Sequence, residues 1–182
     1  MAQSFAPRVE DQPLQTPPGG DAPMFDLIEL LFFAYRDFVG DADRLLETYD
    51  FGRAHHRVLH FVNRQPGLTI TELLDILRIT KQSLNRVLKE LVEQGFIEAR
   101  PGETDRRQRH LHATAEGQAL AHELARLQSR RFARAMAALP PGSHENAIDF
   151  LLAMIDTNER EKVAALIWGA DAKVDHAKSQ GD

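Results

Sequence analysis

A chain of 182 residues, 43% hydrophobic and 27% charged, has the material for one ordinary domain with an extension. It carries 22 basic against 27 acidic residues, a formal charge of −5, and no cysteine, which excludes disulfides, thiol redox sensing and cysteine-ligated zinc. The start lacks the basic head and apolar run of a signal peptide; the densest apolar stretch, Leu27 to Val39, is broken by Glu29, Arg36 and Asp37 and falls short of the about 20 apolar residues of a membrane span, so a cytoplasmic chain is expected.

Residues 1–23, which include "QPLQTPPGGDAP", are rich in Pro, Gly and polar groups and predict a disordered arm. From Met24 the pattern is helical. Phe25, Ile28, Phe32, Tyr35 and Val39 recur at helix spacing, and Leu27, Leu30, Leu31, Phe33 and Phe38 widen that stripe around most of the circumference. A helix apolar on nearly all sides is buried on nearly all sides, either against a second subunit or at the centre of a monomer. A second helix is predicted over about Phe51 to Arg64, with Val58, Leu59 and Val62 as its core, and "QPGL" ends it with Pro-Gly punctuation.

Thr69 and Glu72 have capping-box spacing, so a short helix starts there and presents Leu73, Leu74 and Leu77. Thr80 reads as a second N-cap, opening a helix with Leu84, Val87, Leu88, Leu91 and Val92 as core and Gly95 as its C-cap glycine. "FIEAR" and "RHLHA" alternate around a loop containing Pro101-Gly102, a predicted β-hairpin. Thr114 caps a long helix to about Leu139, and one last helix is predicted from Ser143 to Trp168, with Ile148, Leu151, Leu152, Ile155, Val163, Leu166 and Ile167 on its apolar side. The fold class is therefore mainly α with a small β-hairpin. Two capped helices joined by a tight turn make a helix-turn-helix, and the hairpin after them makes it winged.

With its leucines buried, the second helix of the pair exposes Gln82, Ser83, Asn85, Arg86 and Lys89, and its acids, Glu90 and Glu93, come only after them. In helix-turn-helix proteins this N-terminal part reaches base edges: Gln and Asn pair bidentately with adenine and Arg with guanine. Lys81 and Ser83 suit phosphates. From Arg78 to His110 the chain holds eight basic and five acidic residues, a net of +3, which leaves −8 for the rest. A basic window in an acidic chain is a footprint for a polyanion.

The run from "LTITELLDILRITKQSLNRVLKELVEQGFIEARPGETDRRQRHLHATAEGQAL" resembles the winged-helix core of the MarR family of bacterial transcription regulators. The most specific pieces are "LKELVEQGFIEAR", the wing "DRRQR" with Asp105 and Arg107 on the family's Asp-x-Arg pattern, and "ATAEGQAL", where Ala113 replaces the usual leucine. "AHHRVLHFV" is similar to the PetP-like branch. The resemblance covers about Met24 to Trp168. It implies a winged helix-turn-helix DNA-binding domain over residues 51–114, a helical dimerisation base from 24–50 and 115–170, and a frayed tail at 171–182. It also implies a homodimer that reads the half-sites of a palindromic operator in double-stranded DNA, with Arg106 or Arg107 in the minor groove, Asp105 bracing an arginine, and Arg109 beside them. A ligand-responsive repressor is the implied function. A small aromatic effector would bind between base and winged domain, lined by Tyr35, Phe38, Tyr49, Arg53, His56 and His60.

Two other classes stay open on the residues. One is a winged-helix protein-interaction module whose basic face meets an acidic partner. The other is a metal-responsive regulator using His55, His56 and His60; His56 and His60 share a helix face, but "HRVLH" has Arg57 where a metalloprotease helix needs glutamate. No cofactor is implied, and no phosphate loop, nucleophile elbow or dinucleotide fingerprint points to an enzyme.

Overall fold

The structure, a computed structural model, describes residues 23–102 and 108–169. The expected frayed tail, and the expected disordered arm apart from Pro23, lie outside the described residues. The elements run α1 (Phe25–Glu47), α2 (Arg53–Arg64), β1 (Leu68–Thr69), α3 (Ile70–Leu77), α4 (Lys81–Glu93), β2 (Ile97–Pro101), β3 (Arg109–Ala113), α5 (Ala115–Ala137), α6 (Ser143–Ala153) and α7 (Arg160–Trp168). This is a mainly helical winged helix-turn-helix fold, as the pattern predicts.

Three threonine caps start helices where expected. Thr69 accepts from the Glu72 amide while the Glu72 carboxylate accepts from the Thr69 amide, a reciprocal box that starts α3. The Thr80 hydroxyl accepts from the Ser83 amide at 3.2 Å and starts α4. Thr114 accepts from the Gly117 amide and donates to the Gly95 carbonyl, which fastens α5 to the end of α4. Gly95, at φ 79°, closes α4: its amide donates to Val92 and the Phe96 amide to Leu91, the paired bonds of a Schellman end.

The sheet has one strand more than the hairpin. The two residues of β1 pair antiparallel with β3, Leu68 opposite Leu111 and Thr69 opposite His110, so the order is β1-β3-β2. A His110 ring nitrogen lies 2.7 Å from the Gly67 carbonyl and holds the same edge. In the hairpin Ile97 pairs with Ala113 and Pro101 with Arg109, so Pro101 ends a strand rather than sitting in the loop. One core joins α2, α3, α4, the sheet and the first half of α5, through Leu59, Leu73, Leu84, Leu91, Leu111 and Leu124. Val92 is 42% exposed and lies off that stripe.

One further expectation changes, and one open alternative is decided. The last helix is two helices: Asp156, Thr157 and Asn158, residue types that favour turns over helix interiors, stand at the break, and the Arg160 guanidinium donates to the carbonyls of Ala153 and Ile155 there. And α1 is not central to a single chain. Its C-terminal half packs, burying Val39, Ala42 and Leu46, and the Asp41 carboxylate accepts from Arg131 of α5 at 2.8 Å. Its N-terminal half does not pack: Phe25, Leu30 and Phe32 are each more than 60% exposed.

Candidate nucleic-acid interface

The helix-turn-helix is α3, a three-residue turn and α4. Arg78 makes the turn in the left-handed region, φ 49°, its amide still bonded to Leu74. Leu84, Val87, Leu88 and Leu91 seat α4 in the core. That fixes its opposite face, and Lys81, Gln82, Ser83, Asn85, Arg86 and Lys89 are all exposed on it. The Ser83 hydroxyl accepts from Thr80 at 2.9 Å and keeps its own proton to donate. Lys89 leans toward Glu93 at 3.7 Å, whereas Lys81 and Arg86 form no ion pair with any described residue.

Glu90 is the residue whose role the sequence pattern missed. It turns back from the exposed face, its carboxylate 2.6 Å from His55 Nε2 on α2. His55 Nδ1 accepts from the Gly52 amide, so Nε2 is the protonated nitrogen and donates to the Glu90 carboxylate. His55 also stacks on Phe51, ring centroids 4.6 Å apart. The one acid that would face a polyanion from mid-helix thus holds α4 against α2 instead. No local signal reveals a partner 35 positions away.

On the wing, Arg109 is exposed at the start of β3, and the Gly102 amide donates to the Gln108 carbonyl, continuing the ladder by one bond. Asp105, Arg106 and Arg107 lie outside the described residues. Arg100 pairs with Glu98 along β2.

A cavity of about 280 Å³ opens between α1, α2 and α5. Tyr35, Phe38, Arg53, His56 and His60, five of the six residues expected at an effector site, line it with Val39, Arg57, Phe61 and Gln128. Arg57 was legible: with Arg53, His56 and His60 it completes an i, i+3, i+4, i+7 face. Tyr49 is elsewhere, packed edge-on to Phe96 at 5.5 Å and stacked near Phe51. Asp43 grips Arg53 through two nitrogens, the shorter bond 2.8 Å. The His56 and His60 rings lie edge to face, centroids 6.5 Å apart. His55 points instead to Glu90 and Gly52, and no group of three metal-ligating side chains occurs among the described residues.

Burial holds both cavity histidines below the usual 6.5, helped for His56 by His60 and for His60 by Arg64, while Asp43 opposes the shift at His56. The folded chain therefore gives up protons that the unfolded chain keeps. Stability is full above about 6.5 and falls as pH drops through the depressed folded values. Urea unfolding should give a smaller stability at about pH 5 than at about pH 8, and the double variant His56→Gln/His60→Gln should lose less over that range. Equal losses in both proteins would contradict the burial of these rings.

A family model described as MarR family matches residues 49–108, from the segment before α2 to the residue before β3. Among curated proteins, the chain is 47% identical over 146 residues to the HTH-type transcriptional regulator PetP of Rhodobacter capsulatus, covering 76% of this chain and 88% of that one. Among solved structures it is similar to Streptococcus pneumoniae FabT in complex with DNA, with a TM-score of 0.65 at 18% identity, covering 72% of this chain and 94% of that one. It is also similar to a mutant of MarR from E. coli complexed with operator DNA, with a TM-score of 0.54 at 20% identity, covering 72% and 97%. At these identities the structural likeness is one of fold. Among the described residues no helix is long and apolar enough to cross a membrane.

Proposed function

The chain belongs to the MarR family of helix-turn-helix transcriptional regulators, in its PetP-like branch, and on that premise we propose that it is a repressor that binds palindromic operator DNA as a homodimer and releases it to a small aromatic effector. The observation that carries the reading is the exposed face of α4. It offers Gln82, Asn85 and Arg86 for base edges and Lys81, Ser83 and Lys89 for phosphates, with its nearest acid bound to His55. Two solved relatives of the same fold were captured on DNA, which supports the same role here.

Homodimerisation is supported by the apolar N-terminal half of α1, where nine large hydrophobic residues between Met24 and Tyr35 stand more than 45% exposed. An apolar patch of that length is rare on a monomer. Phe132, Leu139, Phe150, Leu151 and Trp168 extend the exposed apolar surface over α5, the turn after it, α6 and α7. The effector would enter the cavity of Tyr35, Phe38, His56 and His60, where aromatic walls and neutral imidazoles suit a flat ring with few polar groups.

The wing supplies the test. Binding to a duplex is titrated over a range of salt for the wild type and for Arg106→Ala/Arg107→Ala. The double variant should bind more weakly to all sequences, with a salt slope shallower by about 1 for each phosphate that these arginines neutralise. An unaltered slope would take the wing off DNA.

A further inference from the structure

The C-terminal helix α7 does not belong only to the helical base. It faces the end of α3, the first helix of the helix-turn-helix, across a cavity, and the two are joined by a matched pair of ion pairs. Lys162 bonds the Asp75 carboxylate, and Arg78 lies 2.9 Å from the Glu159 carboxylate. Arg78 is the C-cap of α3, three residues after Asp75; Glu159 is the N-cap of α7, three residues before Lys162. The helices run antiparallel at this seam, so acid meets base at both rungs. A slip of one turn would set like charge against like, and the pattern admits a single register.

The far end of α7 is tied to α2. The Gln65 side-chain amide donates to the Leu166 carbonyl at 2.8 Å, and Arg64 reaches the Ile167 carbonyl at 3.4 Å. These are last-turn carbonyls with no partner inside the helix. Between the ties the packing is open. A cavity of about 430 Å³, walled by Phe61, Ile76, Val163 and Leu166, separates α7 from α2 and α3. Lys162 holds the Asp75 carboxyl below its usual range, chiefly through their hydrogen bond. All four charged groups keep solvent access, and exposed pairs like these stabilise a fold little. Their effect is on position.

The position they set is that of Arg78. It occupies the left-handed turn, and only Ile79 and Thr80 separate it from α4. The two ion pairs therefore bear on the end of α3 and on the turn that leads into α4. We propose that α7 is an intramolecular strap that restrains the turn leading into α4, and that Asp75, Arg78, Glu159 and Lys162 are positioning residues for operator binding. The proposal rests on the reading of α4 as the DNA-reading helix and adds what restrains the turn before it. A strap held by weak exposed pairs over an open cavity can lift without unfolding the winged domain.

The test is a charge exchange in the full-length protein: Lys162→Glu, Asp75→Lys and the two together. Each variant is titrated against its preferred duplex and against a scrambled duplex, and backbone amide exchange is followed over residues 77–84. Each single variant should bind the preferred duplex about five-fold more weakly, with scrambled binding and melting temperature little altered, and should exchange faster in the turn. The double variant should recover both readouts. If Lys162→Glu fails to fold, Lys162→Gln should show the same direction with a smaller size. Single variants with wild-type exchange, or a double variant no better than the singles, would overturn the strap. A wild-type chain with no duplex preference would overturn the DNA reading instead, and the exchange arm would still decide whether α7 holds the turn.

Discussion

Replacing Arg86 with alanine should abolish the preference for one base pair in each half-site. Arg86 is exposed on the second turn of α4, on the face opposite the buried Val87 and Leu88. A bidentate arginine–guanine contact discriminates against the wrong base by about 1–3 kcal/mol. The effect recurs in both subunits of a dimer, so binding to a palindrome should weaken by about 2–6 kcal/mol, at least tenfold in affinity. Asn85→Ala should do the same at a neighbouring adenine. Lys89→Ala should instead weaken binding to every sequence alike, because a phosphate contact carries no base information. Competition titrations with single-base variants of the site separate the two outcomes. An Arg86→Ala protein that discriminates as the wild type does would remove α4 from the major groove.

Gly117→Ala should cost more than any exposed substitution. A Cβ on Gly117 would lie 2.0 Å from the Phe96 carbonyl oxygen and 3.4 Å from the Leu59 side chain. That carbonyl accepts the Thr114 amide at 3.1 Å, so the backbone cannot back away without breaking the cap that starts α5. Overpacking of this kind costs about 3 kcal/mol and should lower the melting temperature by about 6–12 °C. Gly40→Ala is the control: it also sits in a helix, nothing lies within 4 Å of the Cβ it would gain, and it should be neutral or slightly stabilising. A Gly117→Ala chain as stable as the control would mean that α5 does not pack on the end of α4 in this way.

What the sequence made legible was local chemistry. Thr69, Thr80, Thr114 and Gly95 each satisfy a backbone group within a few residues, so their spacing alone located three helix starts and one helix end. The exposed face of α4 was legible for a related reason: its leucines fix one side, and the other follows from the helix period. Long-range pairings were not legible. The two residues of β1 are a strand only because Leu111 and His110 arrive beside them. Glu90 reads as an exposed acid until α2 brings His55 to it. Tyr49 is as apt for a pocket as Tyr35 by residue type, and only packing sends one to the Phe51–Phe96 cluster and the other to the cavity. The break between α6 and α7 is a different case. Asp156, Thr157 and Asn158 are poor helix formers in a row, and that signal was outweighed by the apolar spacing on either side.

The division of charge acquires a physical reading from the same placement. Among the described residues, the basic groups of the window lie on the turn before α4, on α4 and on the hairpin strands, and the remaining chain carries a net −8. On the proposed reading, acids away from α4 would disfavour contact with DNA by any other face and favour one docking orientation.

The central claim, that α4 of a dimer reads DNA sequence, is tested most directly by selecting bound duplexes from a random pool with the full-length protein. The predicted result is enrichment of a palindrome whose half-sites lie about 10 bp apart, the spacing of two recognition helices in successive major grooves. Enrichment of no sequence, with binding that follows salt alone, would contradict it.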